Sequence, residues 1–213
     1  MKFIKNKILS NGSRLLIAKL DLSIIDHLYD IRLNPEELEK FRNITNDKRK
    51  CEFLSIRKAI QFVYDENEFI TYSSNGKPSL AISGHRISIS HSKGLLGIIT
   101  HPTLEVGIDL QHESQKITRI KHKFMSAEEL TPETDNEWPL LAFWCAKEAL
   151  FKYYSKGNVE FNTNLFVTPF VLESSGIMQG EIRMPDMQKT LPLPYEVIED
   201  TMVVYTLESP TNE

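Results

Sequence analysis

The segment Glu105-Val106-Gly107-Ile108-Asp109-Leu110-Gln111 alternates strictly between apolar and other residues. In a strand, Val106, Ile108 and Leu110 point one way, and Glu105, Gly107, Asp109 and Gln111 the other. Asp109 and Gln111 then share a face, about 7 Å apart at ~3.3 Å of rise per residue. Gly107 carries no side chain beside them, which leaves room for close approach of a ligand. Aspartate is depleted in strands, so Asp109 is either an exposed edge residue or a functional one. A second segment, Trp144-Cys145-Ala146-Lys147-Glu148-Ala149-Leu150-Phe151-Lys152, reads as helix. There Trp144, Glu148 and Lys152 recur every four residues on one face. The pair Glu148 and Lys152 is either a solvated i,i+4 ion pair or an acid and a base held beside an aromatic wall. Magnesium is commonly bound by one or two carboxylates, with substrate phosphates completing its shell. Asp109 and Glu148 are of the right kind for that.

The first half of the chain offers groups for an anion. Lys50 and Arg57 lie seven apart on a helical stretch, with Arg49 adjacent; they form either a phosphate-facing stripe or the basic flank of an amphipathic helix. Gly76-Lys77-Pro78 follows Ser73-Ser74-Asn75 and reads as a turn presenting Lys77. Ser88-Ile89-Ser90-His91-Ser92 ends a strand with hydroxyls and an imidazole. Ser90 and His91 point apart on a strand and no G-x-S-x-G elbow is present, so a hydrolase triad is not expected. Cys145 sits mid-helix and reads as packing. The histidines lack zinc-site spacing.

Helices must carry two of these groups, and strands and a turn the rest. Residues 46–63 read as a helix, with Phe53, Ile56, Ile60 and Val63 forming an apolar stripe. Strand-like runs follow at 69–72, 87–90 and 95–100, and another at 105–111. Residues 138–155 read as a second helix, with Pro139 tolerable in its first turn. More strand-like runs follow at 165–172, 177–183, 195–198 and 202–207. Ser126 and Glu129 have capping-box spacing, so a short helix is expected at 126–130. Pro185, Pro192 and Pro194 read as loop markers. A helix followed by strands, twice, predicts an α+β fold of two packed α/β subdomains, 1–103 and 104–213.

The chain has 213 residues, 41% of them apolar and 25% charged, so collagen-like, disordered and membrane classes are excluded. Two cysteines make no disulfide framework. No apolar run approaches the ~18 residues of a membrane span, and the N-terminus lacks a signal-peptide run; the protein reads as cytoplasmic, with no membrane partner. Net charge is −4, which argues against nucleic acid. The halves differ: residues 1–103 hold 16 basic and 11 acidic side chains, residues 104–213 hold 9 and 18. Either the first half handles an anion and the second holds a cation, or surface charge simply drifts along the chain.

Five segments in order resemble the 4′-phosphopantetheinyl transferases, the larger monomeric type that activates peptide and polyketide synthetases. They are Gly76-Lys77-Pro78, Ser90-His91-Ser92, Gly107-Ile108-Asp109-Leu110-Gln111, Phe124-Met125-Ser126-Ala127-Glu128-Glu129, and Trp144 through Lys152. Each is weak alone; five in order are specific, because chance matches multiply out. The resemblance runs from about Lys48 to Lys152. It implies a pseudo-dimer of two similar α/β subdomains, a monomer in solution, with the active site at the subdomain interface. It implies coenzyme A as substrate, Mg2+ (or Mn2+) as cofactor, and an apo acyl or peptidyl carrier protein as partner. By the same resemblance Asp109 and Glu148 are metal ligands, and Gln111, at the family's third acidic position, is a third ligand through its amide oxygen or gives place to water. Lys77, Pro78, Ser90 and His91 are coenzyme A contacts, His91 at the 3′-phosphate. Arg49, Lys50 and Arg57 lie near the nucleotide, and Lys152 at the pyrophosphate.

The reaction implied is attack of a carrier serine on the phosphorus next to pantetheine, with 3′,5′-ADP leaving. Asp109, Glu148 and Lys152 are the expected catalytic residues, and either Glu148 or a metal-bound hydroxide takes the serine proton. The nucleophile belongs to the partner. Lys116, Arg119, Lys121 and Lys123, with Phe124 and Met125, are the candidate docking residues for an acidic carrier; a solvated basic helix is the alternative. A neutral amide at Gln111 also suits a coenzyme A-binding relative without transferase activity.

Overall fold

The computed structural model of the protein describes residues 2–20, 23, 30–113 and 116–209. In the first half, β1 (Lys2–Ile8), β2 (Arg14–Lys19), β3 (Ile70–Tyr72), β4 (Pro78–Leu80), β5 (Arg86–Ser92) and β6 (Leu95–His101) form one antiparallel sheet in the order β1-β2-β6-β5-β4-β3. Helices α1 (Pro35–Asn43) and α2 (Asp47–Val63) lie between β2 and β3 in sequence. Asn34 caps α1 by accepting from the Glu37 N–H, with Pro35 preset for the first turn; Asn46 caps α2 by accepting from Arg49. The second half holds β7 (Ile108–His112), α3 (Lys116–Phe124), α4 (Glu137–Tyr154), α5 (Phe161–Asn164), β8 (Leu165–Val167), β9 (Ser175–Met184), β10 (Met187–Ile198) and β11 (Thr201–Tyr205). Its strands make a second sheet, β7-β11-β10-β9-β8. The chain is α+β.

Side-chain alternation stacks these parts. Leu16, Leu96, Ile98 and Ile87 face α2, packing on Ile56, Ala59 and Ile60. Their neighbours Leu15, Ile17, Leu95 and Ile99 face the second sheet and share a core with Ile108, Leu110, Val203 and Tyr205. On the far face of that sheet, Met202 and Val204 pack on α4 through Phe143, Leu150 and their neighbours. The layers run α2, first sheet, second sheet, α4. Each large apolar side chain buried this way contributes about 1.5–3 kcal/mol.

Two glycines permit the stacking. A Cβ on Gly97 would strike Leu110, and one on Gly107 would overlap the Ala149 carbonyl oxygen. The room at Gly107 is therefore filled by the backbone of α4, not by a ligand as the sequence suggested. The seam between the sheets is unusual. Strand β7 is an edge strand, yet the N–H groups of Ile108, Leu110 and His112 donate to the hydroxyls of Ser88, Ser90 and Ser92 on β5, at 3.1, 3.1 and 3.0 Å.

Several expectations need correction. Residues 126–130 form a turn, not a helix, because Glu129 has other partners, described below. The strand expected at 165–172 stops at Val167. Pro192 and Pro194 lie inside β10, not in loops. The Pro192 carbonyl accepts from Leu207 on the side away from β9, so its nitrogen removes no bond from the β9 ladder. Strands β1, β2 and β4 and helix α1 were not expected.

Candidate active site

Asp109 is the second residue of β7 and only 2% exposed. It lies on an edge strand, but the close fit of α4 over Gly107 covers it. Its Oδ1 accepts from the Ser90 hydroxyl at 2.8 Å and from the Lys152 ammonium at 2.7 Å; its Oδ2 accepts from the Gln111 side-chain amide at 2.8 Å. Lys152 also donates to the Ile108 carbonyl at 3.0 Å. The Cys145 thiol donates to the Asp109 carbonyl at 3.0 Å, and burial pushes its pKa up, in keeping with a packing role.

Glu148 precedes Lys152 by one turn of α4. Burial first, then the Asp109 charge, pushes its carboxyl up to about 7; Lys152 opposes the rise. Glu148 and Asp109 thus sense each other, as two carboxylates of one site do. Among the described residues no group of three or more His, Cys, Asp or Glu could hold a metal. The chain supplies two carboxylates and the Gln111 amide, which fits a magnesium ion whose remaining ligands come from phosphate and water. A carboxylate offers about four acceptor directions, and three at Asp109 are taken.

Lys152 links this pair to a cleft of about 510 Å3 between β4, β5 and the end of α4. Lys77, Pro78, His91, Lys152 and Lys156 line it, over a floor that includes Ile89 and Phe151. The turn before β4 is fastened to the α4 end: Asn75 donates to the Ser155 carbonyl at 2.6 Å, and Lys77 to the Tyr153 carbonyl at 3.1 Å. Lys77 also pairs with Glu105. His91 lies 3.6 Å from the Glu52 carboxylate.

The structure does not bring every expected residue here. Arg57 is 3% exposed and lies over the Phe53 ring, with its Nε donating to the Glu37 carboxylate at 3.2 Å. It ties α2 to α1 and does not line the cleft. Arg49 and Lys50 sit on the first turn of α2, Lys50 beside Asp47 at 3.6 Å, and do not line it either. Ser90 is buried and engaged with Asp109, not turned to the cleft. Phe124 and Met125 are core residues and unavailable for docking, whereas Lys116, Arg119 and Lys123 are exposed on α3; Lys121 pairs with Asp135.

Sequence reasoning missed Lys156, which lines the cleft and pairs with Asp186 at 2.6 Å; nothing in its spacing marked it. It also missed the pairing of Lys147 with Glu129. Both side chains are fully buried, 2.6 Å apart, and Lys147 also donates to the Phe124 and Phe161 carbonyls. Glu129 accepts from the Ser126 and Val167 N–H groups. This lock holds the turn at 126–130 and β8 against α4 one residue before Glu148.

No curated protein matches the chain. Residues 105–184 match the family model of the 4′-phosphopantetheinyl transferase superfamily. The match spans Asp109, Gln111, Glu129, Lys147, Glu148 and Lys152, the strand and helix that meet over Gly107. Over residues 105–184, the strand and helix that carry the site, this chain is similar to the 4′-phosphopantetheinyl transferase superfamily.

Proposed function

We propose that the protein is a Mg2+-dependent enzyme of the larger monomeric type, transferring 4′-phosphopantetheine from coenzyme A to a serine of an apo acyl or peptidyl carrier protein. The observation that carries this reading is Lys152, which lines a cation-rimmed cleft and at the same time holds the Asp109 carboxylate beside Glu148. The cleft has the charge and the apolar floor for a nucleotide bearing phosphates. One side comes from the first sheet with α2 and the other from the end of α4; we read the two halves of the chain as two related subdomains, 1–103 and 104–213.

Asp109 and Glu148 would hold Mg2+, with Gln111 beside them. When bound, the ion supplies charge neutralisation on the pyrophosphate. Lys152, Lys77 and Lys156 offset the negative charge of the bound nucleotide, and His91 stands at the cleft wall for a phosphate. The carrier serine oxygen bonds to the phosphorus next to pantetheine. The bond from that phosphorus to the oxygen of 3′,5′-ADP breaks. The serine proton passes to Glu148 as the new bond forms. Phosphoryl transfer rests on positioning and charge stabilisation, so these groups suffice without a nucleophile in the chain.

The test is mass spectrometry of an apo carrier incubated with the protein, coenzyme A and Mg2+. Gain of one phosphopantetheine on the carrier is the expected result. Coenzyme A binding with no mass gain across a panel of acyl and peptidyl carriers would leave a binding protein without transferase activity.

A further inference from the structure

We propose that Ser90 is a positioning residue that fixes the Asp109 carboxylate across the seam between the two sheets, and not a ligand for coenzyme A. The inference rests on the transferase reading only in what Asp109 is for. The Ser90 hydroxyl has one proton, and it goes to Asp109 Oδ1 at 2.8 Å. The same oxygen accepts from the Leu110 N–H at 3.1 Å. Ser90 therefore holds Asp109 by its side chain and by the next peptide at once. It is largely buried, which limits competition from water for either bond. The Lys152 ammonium donates to the same Oδ1 and Gln111 to Oδ2, so all three donors set one rotation of the carboxylate. Ser90 comes from the first sheet and the other donors from the second half of the chain. The carboxylate orientation is in this way tied to the relative placement of the sheets.

The neighbouring rung gives an internal control. Ser92 accepts from His112 at 3.0 Å just as Ser90 accepts from Leu110, but its position is two residues removed from the Asp109 contact. Ser90→Ala and Ser92→Ala each delete one seam bond; only Ser90→Ala also removes one of the three donors to Asp109. Partners that orient a metal-binding carboxylate typically affect metal affinity by about 10–100-fold.

The experiment compares wild type, Ser90→Ala, Ser90→Thr and Ser92→Ala by melting temperature, by Mn2+ binding in the presence of coenzyme A, by kcat and KM in carrier loading, and by crystal structures of wild type and Ser90→Ala. The expected result is a similar loss of melting temperature in both alanine variants. Mn2+ affinity and kcat fall about tenfold or more in Ser90→Ala alone and recover in Ser90→Thr. The Asp109 carboxylate is rotated in the Ser90→Ala crystal. An unrotated carboxylate, or a rise in the coenzyme A KM with kcat and Mn2+ affinity unchanged, overturns the proposal. A wild type that loads no carrier and binds no Mn2+ refutes the transferase reading instead; the crystal comparison still decides the role of Ser90.

Discussion

Asp109 and Lys152 form a 2.7 Å ion pair in which the acid is almost wholly buried and the base is partly open to the cleft. The pair joins an edge strand to the last turns of α4. A phosphate entering the cleft meets a lysine that already has a partner, so binding redistributes charge within the site instead of neutralising a bare cation. This arrangement underlies the first prediction.

Asp109→Asn and Glu148→Gln should each lower carrier loading by at least a hundredfold while the protein stays folded. Gln111→Ala removes no charge and should be milder than either. Steady-state loading assays, with circular dichroism as the folding control, check this. Full activity in Asp109→Asn would refute the metal assignment.

Stability of the metal-free protein should depend on pH through Glu148. Its carboxyl rises from an ordinary value of 4.5 to about 7, so the folded state favours the protonated form. This contribution is complete below about 4.5 and is lost as pH rises through about 7. Glu148→Gln stays neutral throughout. Urea melts in chelator should place the variant level with wild type at pH 4.5 and about 1–3 kcal/mol above it at pH 8. A gap that is the same at both pH values would contradict the burial argument.

Lys147→Met leaves Glu129 charged and buried without its partner. The expected loss is about 3–5 kcal/mol in chemical denaturation, and Glu129→Leu in the same chain should restore most of it. If the double variant is no more stable than the single, the two side chains are not a coupled pair.

Gly107→Ala should cost at least about 1–3 kcal/mol, because the added carbon overlaps the Ala149 carbonyl oxygen and α4 must shift. Carrier loading should fall as well, since that shift moves Glu148 and Lys152 relative to Asp109. A variant with wild-type melting temperature would place the helix farther from β7 than described here.

What could be read from the residues alone follows from where the information is local. The helices at 47–63 and 137–154 carry their own periodicity and were legible to within a residue at each end. The alternation around Asp109 correctly separated Ile108 and Leu110, which enter the inter-sheet core, from Asp109 on the α4 side. The pairing of Arg57 could not be read because its partner, Glu37, sits on α1, a short acidic helix with too few turns to announce itself. Strand β1 was hidden because Lys2, Lys5 and Lys7 break its pattern at the edge of the sheet. The capping-box reading found a real bond, Ser126 N–H to Glu129 at 2.7 Å, but the same carboxylate is drawn into the core by Lys147, so no helix follows. Long-range partners of this kind leave no trace in spacing.

The row of serines on β5 has a consequence for the protein outside its chemistry. An open strand edge is a template on which a stray chain can add a strand and begin to aggregate. Here the outward donors of Ile108, Leu110 and His112 are already satisfied by hydroxyls that cannot extend a ladder. The strand that carries the most exacting residue of the site is thereby closed to intruders without being locked into a continuous sheet.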